Sequence, residues 1–385
     1  MKRLLMALFV GILLLSACSP ASQAATSAPT QPVAATEAAP VETATEAAAE
    51  TATEAAPITL TDALGREVTL ATPPQHIVIT GKALFMILDA VYTFPEAPDR
   101  IAAIGSATQG SGNFISLVDP NYDAKQTLDK DAGAEQIAAV HPDLVILKSS
   151  VAETLGKAVE ELNIPVVYVD FETPEQYTRD LAILGKVFQN EARAQEVAAY
   201  FQNTVADIQA KVKDAAAKPR VLMLYYSDKD GAVAFNVPPM NWIQTQMVQL
   251  AGGEPVWADA NPSKGWTTVT LEQIAAWDAD QIYIIAYFND PSEVVAGLKA
   301  DAQWQNLRAV KENQLYAFPG DLYSWDQADP RWILGLSWLA GKLHPDQFKD
   351  ADIVAQTKTF YQTLYGLDDA FFEKNIQPTF KGDLH

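Results

Sequence analysis

Arg331 follows Asp329-Pro330, where a helical pattern opens, and it is well suited to meet an anion. A guanidinium in a first helical turn opposes the helix dipole, so a negative partner is required. Two kinds of partner fit. One is an anionic ligand held at the helix N-terminus; the other is an ion pair with Asp326 or Asp329. Lys82, beside another expected helix start, offers the same chemistry from the first half of the chain, against the reading of a solvated surface lysine.

Aromatic side chains offer a second chemistry. All eight tryptophans lie between Trp242 and Trp338. Trp242, Trp266 and Trp325 fall in or near loops, and Tyr225, Tyr226 and Tyr287 stand at the ends of apolar runs. Such rings make walls for a flat or chelated ligand, or they fill a core.

Catalysis finds little support. The acidic pairs Asp129 with Asp131 and Asp228 with Asp230 lie in polar loops, where solvated carboxylates are the ordinary explanation. Neither a nucleophile elbow nor a His-Glu metal helix is present. Gly105, Gly110 and Gly112 lack the Gly-Lys-Ser/Thr ending of a phosphate-binding loop. The histidines, His76, His141, His344 and His385, do not cluster as metal ligands do. No catalytic residue, resident metal or cofactor is expected.

Lys2 and Arg3, the apolar run Leu4–Leu15 and then Leu15-Ser16-Ala17-Cys18 read as a lipoprotein signal peptide over residues 1–18. Cys18 is the single cysteine and the expected lipidation site. Lipidated, it leaves no thiol for catalysis or metal binding. Residues 19–57 contain no aromatic residue, lysine or arginine, and Ala-Thr-Glu-Ala-Ala recurs at 35–39, 44–48 and 52–56. This composition cannot bury enough apolar area to offset its ordering entropy, so a disordered tether is expected. The formal net charge of −21 argues against nucleic-acid binding, which needs a basic face.

The elements that must position these residues lie in Ile58–His385, long enough for two lobes. Apolar runs at His76–Thr80, Arg100–Gly105, Leu144–Leu147 and Val166–Val169 alternate with helical stretches, which predicts an α/β lobe with a mostly parallel sheet over 58–190. Val197, Phe201, Val205, Ile208 and Val212 share one helical face, predicting a spine helix within 191–218. The pattern restarts over 219–385, with strands at Arg220–Tyr226, Gln281–Ala286 and Gln314–Phe318. The fold class is therefore α/β: two lobes, each a mostly parallel sheet with flanking helices, joined by one long helix. Ligands of such sheets gather beyond the carboxyl ends of the strands. There the chain supplies Gly81 and Lys82, Ser106–Asn113, Lys148–Ser150 and Asp321–Asp326, besides the three tyrosines.

The halves echo each other. Glu135-Gln-Ile-Ala-Ala139 precedes His141-Pro142-Asp143 and an apolar strand; Glu272-Gln-Ile-Ala-Ala276 precedes Asp278-Ala279-Asp280 and another. Together with Thr61-Asp-Ala-Leu-Gly-Arg66, Pro73-Pro74 and the ending Pro330-Arg331-Trp332, this layout resembles the periplasmic-binding family for iron–siderophore complexes, haem and vitamin B12. The resemblance covers nearly the whole body.

It implies an extracytoplasmic substrate-binding lipoprotein of an ABC importer, a monomer anchored to the bacterial cell membrane. It also implies docking of Glu135 and Glu272 on arginines of the permease subunits, against the reading of two solvated helix glutamates. Trp277 and Ala279 replace the Val140 and Pro142 of the first lobe, which puts equivalent docking of the lobes in doubt. The expected ligand is a metal chelate, a ferric siderophore first. Haem, a corrinoid or an oxyanion such as molybdate or tungstate stand as alternatives. A non-transport ligand sensor or a surface enzyme are the remaining ones.

Overall fold

Continuous runs of Val, Ile and Leu fold into strands covered on both faces, the signature of parallel sheets. The computed structural model describes residues 56–106, 112–215 and 218–384. Cys18 with its lipobox, and the 19–57 tether apart from its last two residues, lie outside them. All elements below belong to one unit, residues 54–385. Among the described residues no helix is long and apolar enough to cross a membrane.

The first lobe opens with an antiparallel hairpin, β1 (Ile58–Thr61) and β2 (Glu67–Leu70). Asp62 closes it by accepting from the backbone N–H groups of Leu64 and Arg66. A parallel sheet follows: β3 (Ile77–Ile79), β4 (Ile101–Gly105), β5 (Gln126–Leu128), β6 (Leu144–Lys148) and β7 (Val166–Val169), ordered β5-β4-β3-β6-β7. Every residue of β3, β6 and β7 is buried.

Two helices then lead out of the lobe. Thr173 caps the Pro174–Phe188 helix by accepting from the Gln176 N–H, with Pro174 at the first position. Gln189 turns left-handed at φ 54°, and the Asn190 side chain caps the spine helix, Glu191–Val212. Gly185 lets the two helices touch, since a Cβ there would stand 2.6 Å from that of Ala194. The spine stops at Val212 rather than continuing to Lys218, short of Pro219 and the next strand.

The second sheet holds β8 (Arg220–Ser227), β9 (Ala234–Val237), β10 (Glu254–Pro255), β11 (Thr267–Val269), β12 (Gln281–Ala286) and β13 (Leu315–Ala317). Its order is β11-β9-β8-β12-β13, with β10 also on β8. Strands β8, β12 and β13 run parallel. The sheet is mostly parallel, as the sequence predicts, with one antiparallel edge: β9 pairs antiparallel with β8 and β11. The Asp228–Val233 connection is a hairpin, too short to cross over as parallel pairing requires.

Helices Trp332–Leu343 and Ile353–Tyr365 close the second lobe onto the spine. Phe201 of the spine stacks on Trp332 with centroids 5.5 Å apart. Arg193 donates to the carbonyls of Thr363 and Leu364. The lobes also meet directly. Phe85 stacks on Tyr323 at 4.8 Å, and Tyr177 donates to the Ala328 carbonyl at 2.8 Å. One apolar core runs through these contacts.

Candidate ligand-binding site

Alternation along β8 sends consecutive tyrosines to opposite faces of the sheet. Tyr225 meets Tyr287, just past β12, with centroids 4.6 Å apart, and Trp266 at 5.1 Å. Trp242 stands edge-on to Trp266 at 5.5 Å. All four rings are half-buried, so they form a continuous wall with accessible edges. Tyr226 is not part of it; it packs against Phe235 instead.

The loops carrying the two tryptophans are fixed from behind. Asn261, 3% exposed, donates to the carbonyls of Val237 and Gly265 and accepts from Ser263 and Thr267, which sets the turn before Trp266. Trp257 and Thr245 donate to the carbonyls of Pro238 and Pro239, and Gln246 to that of Met240. These bonds hold the segment leading to Trp242. Locking loop residues through a buried polar layer pre-organises a binding surface.

Behind the wall lies Asp326, which is fully buried. It accepts from the Tyr287 hydroxyl at 2.7 Å and from Gln244 Nε2 at 3.1 Å. Burial pushes its carboxyl up to about 6, against the pull of its donors. Burial and the nearby Asp326 charge push the Tyr287 phenol well above its usual range.

Arg331 requires a correction. It is fully buried and pairs with Asp89 of the first lobe, with Asp321 at 2.8 Å and with Asp329 at 3.4 Å. Tyr361 also contacts its Nε, at 2.9 Å. Of the two partners expected for it, the carboxylate is the one present, although Asp326 is not among them. With three carboxylates around it, the guanidinium cannot face a ligand. Trp325 is likewise fully buried, donating to Asp321 and packing on Phe380, because its loop folds inward against the last residues of the chain.

On the first lobe Lys82 is exposed. Lys148 at the end of β6 is 4% exposed and pairs with Glu172. Arg179 pairs with Asp170 and Asp180. Of the eight aromatic and cationic residues singled out in the sequence, Tyr225, Trp242, Trp266 and Tyr287 come together, Lys82 and Tyr226 stand apart, and Trp325 and Arg331 are internal. Gln244 and Asn261 escaped sequence reasoning as site residues, and Asp326 entered it only as the end of the Asp321–Asp326 loop and as a possible partner of Arg331. Only Asn261-Pro262-Ser263 left a signal, as an Asx-turn composition.

Glu135 and Glu272 occupy matching places. Each is exposed in the first turn of a short helix, Ala134–Ala138 or Leu271–Trp277. The Gln136 and Gln273 side chains accept from the backbone N–H of Gly133 and Thr270 at 3.0 and 2.9 Å. His141 and Asp278 both adopt positive φ, 56° and 43°. Asp143 and Asp280 then tie the turn to the first strand of each sheet. The Glu272 backbone N–H and the Thr270 hydroxyl hold the Glu272 carboxyl below its usual range. The surroundings differ, since Arg308 bridges Asp278 and Asp280 in the second lobe.

Two α/β lobes on one spine helix, with fixed aromatic loops at the strand ends, define a two-lobed solute-binding fold. Residues 77–322 match the periplasmic binding protein family, and the chain belongs to it. The molybdate-binding protein MolA of Haemophilus influenzae is 25% identical over 255 residues, 60% of this chain and 69% of that protein. The vitamin B12-binding protein of Salmonella typhimurium is 28% identical over 210 residues, 54% and 72% of the two chains. A periplasmic solute binding protein from Veillonella parvula shares the fold with a TM-score of 0.64, at 24% identity over 83% of this chain and 99% of that one.

Proposed function

We propose that this chain is the extracytoplasmic substrate-binding lipoprotein of an ABC importer and that it captures a metal chelate of the ferric-siderophore class. In this reading the chelate rests against the second-lobe wall and is handed to the permease. The observation that carries the ligand class is the convergence of Tyr225, Trp242, Trp266 and Tyr287 on pre-organised loops, together with the neutralised Arg331. A bulky chelate gains from apolar contact with such a wall. A small oxyanion needs unpaired donors; of the two cations expected to supply them, Arg331 is engaged and Lys82 is exposed on the first lobe.

Membership of the periplasmic binding protein family supports binding rather than catalysis. Glu135 and Glu272, presented alike by the two lobes, are the proposed contacts for permease arginines; a carboxylate meets a guanidinium through two parallel hydrogen bonds. Cys18 is the proposed lipid anchor, and residues 19–57 the tether. A corrinoid is the second reading, favoured by the likeness to the vitamin B12-binding protein. Uptake of ferric chelates by a strain deleted for the gene tests the proposal. Restoration by the chain, and not by its Cys18→Ala variant, is expected; uptake unaffected by the deletion contradicts it.

A further inference from the structure

The charge around the cleft narrows the ligand further. The aromatic wall has its own buried carboxylate, Asp326, hydrogen-bonded through Tyr287 to the surface the ligand meets. A carboxylate in a partly dry site projects its field with little screening. Ring faces also attract cations.

Three cations of the two lobes are committed to carboxylates. Arg331 is enclosed by Asp89, Asp321 and Asp329, Lys148 by Glu172, and Arg179 by Asp170 and Asp180. Lys82, Lys229 and Lys264 are exposed on loops, where water screens them. Phe288, next to Tyr287 in the chain, is 71% exposed.

We infer that the cleft selects metal chelates of neutral or positive net charge and disfavours anionic complexes, because the Tyr225–Trp242–Trp266–Tyr287 wall is backed by Asp326 while Arg331 is closed off. The inference rests on the metal-chelate reading above. Asp326 is a positioning residue: it holds the Tyr287 hydroxyl and sets the sign of the potential at the wall.

Competition binding to the full chain tests this with ferrioxamine B (cationic), ferrichrome (neutral), ferric enterobactin (anionic) and molybdate. The cationic or the neutral chelate is expected to bind at least about tenfold more tightly than the anionic one. Asp326→Asn should lower that preference while thermal unfolding stays cooperative. Tyr287→Phe, which keeps the ring and cuts the link to Asp326, should lower it too.

A purely structural role for Asp326 would not produce the expected pH profile. The wild-type preference should weaken below about pH 6, and that of Asp326→Asn should stay flat. The groups facing Asp326 are Ser324 and Gln244, which do not titrate, and the phenols Tyr225 and Tyr287, which stay protonated through this range. Tighter binding of ferric enterobactin than of the other two chelates overturns the inference and leaves the metal-chelate reading intact. Binding of molybdate alone, or of nothing, overturns both.

Discussion

Arg331 and Asp89 form an ion pair between the two lobes with both side chains fully buried. The same guanidinium lies over the rings of Phe114 and Tyr323, at 4.7 and 5.0 Å. Together with the Phe85–Tyr323 stack, this pins the lobes beside the spine helix. Removing one member of a buried pair leaves the other charge uncompensated. Arg331→Met should therefore cost about 3–5 kcal/mol of unfolding free energy in urea. A loss below about 1 kcal/mol, the range of surface pairs, would contradict the pin.

The same cluster makes stability depend on pH. Burial raises the Asp329 carboxyl from its ordinary 3.8 to about 8, and that of Asp89 to about 6, against the attraction of Arg331. Between these limits the folded chain binds more protons than the unfolded one, so stability falls as pH rises. The contribution is full below about pH 4 and is lost by about pH 8. Asp329→Asn mimics the protonated acid. Thermal melts from pH 5 to 8 should decline less steeply in the variant than in the wild type; parallel declines would exclude Asp329 as a source.

Loop positioning by Asn261 should appear in binding. Asn261→Ala removes the donors to Val237 and Gly265 and frees the turn before Trp266. Chelate affinity should fall about tenfold or more, as expected when an ordered surface must be organised on binding. Isothermal titration would detect this; unchanged affinity would remove Trp266 from the wall's working part.

The matching helices predict a separation of binding from delivery. Glu135→Arg and Glu272→Arg lie on exposed first turns. Each should leave chelate affinity within about twofold, as surface substitutions usually do. The double variant should abolish uptake through like-charge contact with the permease. The Arg308 cluster beside Glu272 makes unequal single effects the expectation. Full uptake by the double variant would exclude these residues as docking contacts.

Local pattern made much of this architecture readable. The Glu135 and Glu272 segments announced themselves because a helix start, a turn and an apolar strand recur in the same order. The structure extends that echo to the positive φ of His141 and Asp278. Tyr225 and Tyr226 could have been told apart by strand alternation, but which face meets the ligand depends on Trp266 and Tyr287, which arrive from other elements.

Arg331 shows where local reasoning stops. Its Asp89 partner is 242 residues away, so no spacing rule connects them. Asp326 looked like a partner for Arg331 five residues on, yet its hydrogen bonds run to Tyr287 and Gln244. The antiparallel β9 was missed because Ala234–Val237 is short and only partly apolar.

The central claim, capture of a metal chelate at the second-lobe wall, is tested most directly by intrinsic tryptophan fluorescence of the full chain. All eight tryptophans belong to the second lobe, and Trp242 and Trp266 stand in the wall. Titration with ferric chelates should give saturable quenching at micromolar concentration or below, and Trp266→Ala should lose most of that signal. Saturation by molybdate with no response to any chelate would contradict the account.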